Sequence, residues 1–189
     1  GVITKNATGN ITSTGAFSTT GDVNLAANIT TTDTNLTIGG NLVIAEAATP
    51  TLSTGAGTAG NVTVTGTTNG TAGGVAETLT VQAGTGTVTF TGNVGNNTDA
   101  LELEALTLTN AAATTFSGTL DLANALTQTN AATGATTFTG AVSVGSADLK
   151  GTSYAINNSF ASGGTTAFTN SGVITKNATG NITSTGAFS

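Results

Sequence analysis

Cysteine, histidine, methionine, tryptophan and arginine are all missing from this chain of 189 residues, and it holds a single proline. Each absence removes a class of protein. Without cysteine there is no disulfide framework and no thiolate metal site, and the redox compartment stays open. Without histidine or cysteine the usual general bases, nucleophile partners and soft ligands are gone. Three lysines stand against nine acids, so no basic footprint exists for nucleic acid. The same shortage removes polybasic attraction to a membrane surface. No apolar run approaches the roughly 20 residues of a membrane-spanning helix. No secretory leader is visible, the chain opening in mid-pattern without a methionine.

What is present points to strands. Roughly a quarter of the residues are threonine, and valine, isoleucine, asparagine, alanine and glycine supply much of the rest. Charged residues make up only 6%, while 37% are hydrophobic, the reverse of the balance that keeps a chain disordered. Threonine, valine and isoleucine favour a pleated surface, so an all-β fold is expected with few or no helices.

The chain also repeats itself. The stretch GVITKNATGNITSTGAFS at 1–18 returns letter for letter at 172–189, an offset of 172 − 1 = 171 positions. Self-similarity at a fixed period marks a repeat architecture. Residues 1–171 are read as one complete unit and 172–189 as the start of the next. Within a unit Lys5 and Lys150 face all nine acids, a net charge of 2 − 9 = −7.

Inside the unit runs a finer rhythm. The segments VTFTGNV (88–94), TTFSGTLDL (114–122) and TTFTGAVSV (136–144) share an aromatic residue, a glycine two residues later, and an aliphatic residue two beyond that. Looser copies extend the series, with anchors at Phe17, Ile38, Val64, Phe90, Phe116, Phe138, Phe168 and, in the next unit, Phe188. Their spacings are 21, 26, 26, 26, 22, 30 and 20, seven steps that together make the offset of 171. Upstream segments such as LTLTNAAATTF (106–116) and LTQTNAATGATTF (126–138) add further alternating stretches, about three per step. Period-two alternation means one buried face per strand. A hairpin meander would call for two-residue Asn-Gly or Asp-Gly turns, and Asn69-Gly70 alone offers one.

The expected fold is therefore a parallel β-solenoid of about seven turns of ~24 residues per unit, each strand pairing with its counterpart one turn on. The eight anchors are expected to form one core stack, with Val94, Leu120 and Val142 as an aliphatic ladder beside it. Glycines after the aromatics are expected to supply unusual corner angles. Asn110 and Asn130, at equivalent corners, are expected to bond amide to amide up the stack. The stretch from 145 to 171 departs most from the pattern and is expected to bulge as an irregular loop.

These Leu-Thr…Thr-Thr-Phe-Thr/Ser-Gly-x-Val/Leu turns, in a Thr/Asn/Gly-rich, cysteine-free chain, resemble the filamentous-haemagglutinin-like and autotransporter-type β-strand-repeat proteins of bacterial surfaces. The likeness is best over 14–144. It implies a secreted, cell-surface structural or adhesive fibre, and it carries over no site residues.

Chemistry is sparse. Glu102 and Glu104 in ALELEALTL are the closest carboxylates, expected on one outward strand face with Leu101 and Leu103 inward; a solvated face is the ordinary reading of such a pair. Asp22, Asp33, Asp99, Asp121 and Asp148 are scattered without calcium-loop spacing. Asn-x-Thr/Ser triplets at Asn6, Asn10, Asn28, Asn35, Asn61, Asn69, Asn96 and Asn157 are formal glycan acceptors that this composition generates by chance. Thr-x-Thr pairs at Thr12/Thr14, Thr63/Thr65, Thr87/Thr89, Thr107/Thr109 and Thr137/Thr139 match the residue type of an ice-binding solenoid. That function needs one pair per turn at a fixed phase, and turn lengths of 20 to 30, with the pairs expected on different strands, argue against it.

No catalytic, cofactor-binding or metal residues are assigned, and no enzyme activity is expected. The expected function is a long extracellular filament of tandem units, both ends being uncapped mid-repeat sequence. Its partners would be adjacent copies, in one chain or end to end, then neighbouring fibres or cell-surface glycans. The rival readings are a ligand- or ice-binding surface and a carbohydrate-active β-helix.

Overall fold

The computed structural model describes residues 1–6, 9–57, 60–71, 76–96, 101–129, 134–177 and 179–189. Every regular element among them is a β-strand, and every strand pairing is parallel. The chain coils as a three-faced parallel β-solenoid. Strands β1 (Ile3–Lys5), β2 (Ile11–Ser13) and β3 (Phe17–Thr19) make the first turn, one on each face. The second turn is β4 (Val23–Leu25), β5 (Ile29–Thr31) and β6 (Leu36–Ile38), and the third is β7 (Leu42–Ile44), β8 (Thr51–Ser53) and β9 (Val62–Val64). The fourth is β10 (Thr68–Asn69), β11 (Thr78–Gln82) and β12 (Thr87–Phe90). In the fifth, Val94 holds the first face by bridging Thr68 and Leu120, and β13 (Ala105–Asn110) and β14 (Ala113–Phe116) take the other two. In the sixth and seventh, β15 (Leu120–Gln128) and β17 (Val142–Gly151) each run across the first two faces, followed by β16 (Ala135–Phe138) and β18 (Tyr154–Ile156) on the third. The eighth is β19 (Phe160–Ser162), β20 (Thr166–Asn170) and β21 (Ile174–Lys176); β22 (Ile182–Ser184) and Phe188 begin a ninth.

The reason for this winding lies in the alternation. Three-residue strands such as Val23-Asn24-Leu25 and Leu36-Thr37-Ile38 bury their first and third side chains and turn the middle one outward. One turn cannot enclose those aliphatics by itself, so turns stack and the inward residues merge into one continuous core from Val23 to Phe160. On the third face Phe90, Phe116 and Phe138 stack with ring centroids 5.4 Å apart and planes 3° from parallel. Val94, Leu120 and Val142 form the expected aliphatic ladder on the first.

The anchor series itself needs correction. Ile38, Val64, Phe90, Phe116 and Phe138 do lie in one column. Phe17 pairs with Leu36, so Thr19 takes the rank beside Ile38. Two extra residues stand between Phe17 and its glycine, and they shift the register. Above Phe138 the column continues through Ile156. Phe168 sits on the second face against Leu149, and Phe188 bridges Thr166 there, 56% exposed. Both rejoin the aromatic core from that side: Phe168 meets Phe160 at 5.6 Å and Phe188 at 5.9 Å.

The stretch from 145 to 171 is not an irregular loop. Ala147 and Leu149, then Tyr154 and Ile156, then Phe160 and Ser162 keep the alternation, while Asp148 and Lys150 point outward and pair at 2.8 Å. The charged residues mask a regular strand.

Corners stack as closely as strands. Gly21, Gly40, Gly66, Gly92, Gly118 and Gly140 lie one above another, and a Cβ on Gly66 would stand 2.6 Å from the Gly40 carbonyl carbon. These glycines answer to close backbone approach; none is among the glycines with positive φ. Asparagine and aspartate corners elsewhere in the stack bond side chain to backbone. The Asn35 side-chain oxygen accepts from the backbone N–H of Asn61, and Asn61 accepts from Thr87, at 3.0 and 2.9 Å. Asn10 and Asn28 repeat the pattern toward Thr51, as do Asp22 and Asn41 toward Thr67. The ladder is amide to backbone, not amide to amide. Asn110 accepts from Gly84 N–H and donates to the Ala56 carbonyl; Asn130 lies outside the described residues.

The two copies of the opening stretch occupy different faces. Ile3, Ile11 and Phe17 stand on the first, second and third faces, whereas Ile174, Ile182 and Phe188 stand on the third, first and second. From one copy to the other the coil advances by seven turns and two-thirds, not by the seven whole turns expected. The expected relation of a shift along the axis with a small twist therefore does not hold; a third of a turn is left over.

Candidate functional site

The third face carries the most regular outward surface. Its strands pair residue for residue from Phe17 to Lys176 without a register shift, whereas the second face slips at Val81/Gln82 and the corner between the first two slips at Leu122/Ala125. Between the buried residues, outward positions align as Ser18, Thr37, Thr63, Thr89, Thr115 and Thr137. Two residues along, a parallel rank follows at Thr65, Thr91, Ser117 and Thr139, whose backbone N–H groups extend the same ladder. Four consecutive turns thus show Thr63/Thr65, Thr89/Thr91, Thr115/Ser117 and Thr137/Thr139, one pair per turn at a fixed phase.

Of the pairs read in the sequence, Thr63/Thr65 and Thr137/Thr139 keep this phase, Thr87/Thr89 lies two residues out of it, and Thr12/Thr14 and Thr107/Thr109 belong to the second face; uneven turn lengths do not scatter the third-face pairs. The length differences are absorbed in the corners and on the other two faces, and the third keeps its frame. The side-chain hydroxyls of these eight residues take no part in hydrogen bonds among the described residues. From β3 to β18 the face's strands contain no charged residue.

The acids lie elsewhere. Leu103 is buried as expected and Leu101 half-buried, while Glu102 and Glu104 are half-buried at the approach to β13. The Glu104 carboxylate accepts from the Asn124 amide at 2.9 Å, and its backbone N–H donates to the Glu77 carbonyl. Glu77, which sequence reading passed over, is buried, and its carboxylate accepts from the Thr71 hydroxyl at 2.7 Å. Asp121 is 8% exposed on the first face, its Oδ2 without a hydrogen-bond partner among the described residues. It borders a cavity of about 250 Å³ with Asn93, Asn96, Thr119 and Ser143. Asp99 lies outside the described residues.

A polar cluster also interrupts the core. Gln128 is buried between Leu108 and Leu149 and accepts from the Thr136 hydroxyl at 3.1 Å, while its Nε2 and the Tyr154 hydroxyl have no hydrogen-bond partner among the described residues. Burial raises the Tyr154 phenol above its ordinary value, and Asp148 adds to the shift.

Among the described residues no three His, Cys, Asp or Glu side chains gather as a metal could use, and no helix is long and apolar enough to cross a membrane. The fold and its surface define a parallel β-solenoid. No family model, curated protein or solved structure matches the chain.

Proposed function

We propose that this chain is a segment of a long extracellular, cell-surface fibre, a structural filament or adhesin stalk built from tandem β-solenoid units, without enzyme activity. The observation that carries this reading is the junction between units. The second copy of the repeat pairs directly on the turn before it, Tyr154 with Ile174, Phe160 with Ile182 and Thr166 with Phe188. Those contacts are of the same parallel kind as the contacts inside the unit, with β-strand spacing and no linker between. By identity of sequence, the preceding unit would place its own Tyr154 and Phe160 beneath Ile3 and Ile11 here, residues now at the end of the stack.

The test is length. Chains of one, two and four units would be made and measured by electron microscopy. Stacked turns rise about 4.8 Å each, so seven and two-thirds turns should add about 37 Å per unit. Beads of separate domains joined by flexible chain, or lengths that do not grow in proportion, would overturn the fibre.

A further inference from the structure

We infer that the third face is an ice-binding surface, its ligand being the ordered lattice of water. The inference does not depend on the fibre reading, since a single unit carries the face.

Four features of the face carry it. The first is its period. Rungs lie about 4.8 Å apart along the axis, the inter-strand distance. Water molecules in a tetrahedral hydrogen-bonded lattice lie about 2.75 Å from their neighbours. Two waters sharing a neighbour at the tetrahedral angle are then about 4.5 Å apart, within about 0.3 Å of the rung spacing. Over the three intervals between four rungs the mismatch accumulates to about 0.9 Å, less than half the distance between neighbouring waters.

The second is chemistry. A threonine hydroxyl offers one donor and two acceptor sites, as a water molecule needs of its neighbours. The hydroxyls of Thr63, Thr89, Thr115 and Thr137, and of the rank beside them, are not engaged among the described residues. Each threonine also carries a methyl group beside its hydroxyl, so the face is neither a uniformly wet nor a uniformly apolar surface.

The third is stiffness. Threonine is restricted at χ1, and its Cα is held by a ladder on both sides, so little side-chain freedom is lost when the lattice forms against it. Lysine or glutamine at these ranks would lose far more.

The fourth is the absence of charge. The unit carries seven negative charges net, yet the strands from β3 to β18 on this face contain none of them. An ion holds its own hydration shell and would break a water lattice at that point. The first and second faces bear Asp121, Asp148 and Lys150, and the second is interrupted by a register shift.

The experiment uses the full chain and ice itself. Growth and recrystallisation of small ice crystals are followed at protein concentrations too low to act colligatively. The wild-type chain should arrest recrystallisation. Thr89→Lys and, on the exposed neighbouring rank, Thr91→Lys should each lose at least tenfold in potency while keeping the β-sheet circular dichroism. Thr80→Lys, an outward position on the second face, should keep it. Inactivity of the wild type, or equal loss in Thr80→Lys, would overturn the assignment. A concentration-dependent dimer that Thr89→Lys dissolves, with no effect on ice, would also overturn it and make the face a contact between copies. The fibre reading stands or falls separately, on the length measurement.

Discussion

At Gly92 a methyl group would stand 2.6 Å from the carbonyl carbon of Gly66, one turn below, in a column where backbone meets backbone. Neither partner can swing aside, because both are fixed by strands on two sides. Gly92→Ala should therefore destabilise by about 1–3 kcal/mol, the range of overpacked sites. Gly57→Ala, with open space around its Cβ, should change the urea midpoint little. The same scale holds an ionisation effect. Burial keeps the Tyr154 phenol protonated in the folded chain, whereas the unfolded chain loses that proton near its ordinary value of 10.0. Stability from this difference is complete below that pH and is lost as the pH climbs above it, because the unfolded state then gains by ionising. As the chain's one tyrosine, with no tryptophan beside it, Tyr154 alone reports tyrosinate absorbance. That signal should stay absent on alkaline titration until the fold opens. Tyr154→Phe should blunt the alkaline loss and, since the hydroxyl has no partner among the described residues, leave neutral-pH stability undiminished.

Among elements, the strands of the third face show most clearly what burial contributes. Phe116 is stacked on both sides by Phe90 and Phe138, so Phe116→Ala should cost about 3–5 kcal/mol in a urea unfolding series. Phe188→Ala, half in solvent, should cost far less. These three phenylalanines were legible in the sequence because each follows Val-Thr or Thr-Thr and precedes a glycine by two residues. Phe168 was not: its letters copy the motif only loosely, with glycine four residues on rather than two, and it pairs with Leu149 on another face. Composition identifies inward residues but does not say which face they sit on; that follows from how many residues each corner consumes. The threonine ranks were hidden for the same reason. Their pairs could be read, but their alignment needed corners whose lengths differ by up to eight residues from turn to turn. The asparagine caps left a signal that could have been used. Asn10, Asn28, Asn35, Asn41, Asn61 and Asn93 each stand directly before an inward aliphatic residue.

For the molecule as a whole, the leftover third of a turn turns the array into a crystallographic object. If units follow one another as the junction here does, each is related to the next by a three-fold screw operation, apart from the solenoid's own twist. Three units would complete 23 turns before any residue faces its original direction again, an identity period of about 110 Å. Oriented fibres of a tandem array should then diffract with layer lines at that period. Meridional intensity should be absent until the third order, at about 37 Å; meridional intensity on the first layer line would rule the screw out. A flat partner lying along one side of such a filament would meet any chosen patch once in three units. A filament surrounded by partners would offer that patch in three directions at once. A duplicated sequence that looks like simple monotony would thus distribute one surface evenly around the circumference of the fibre.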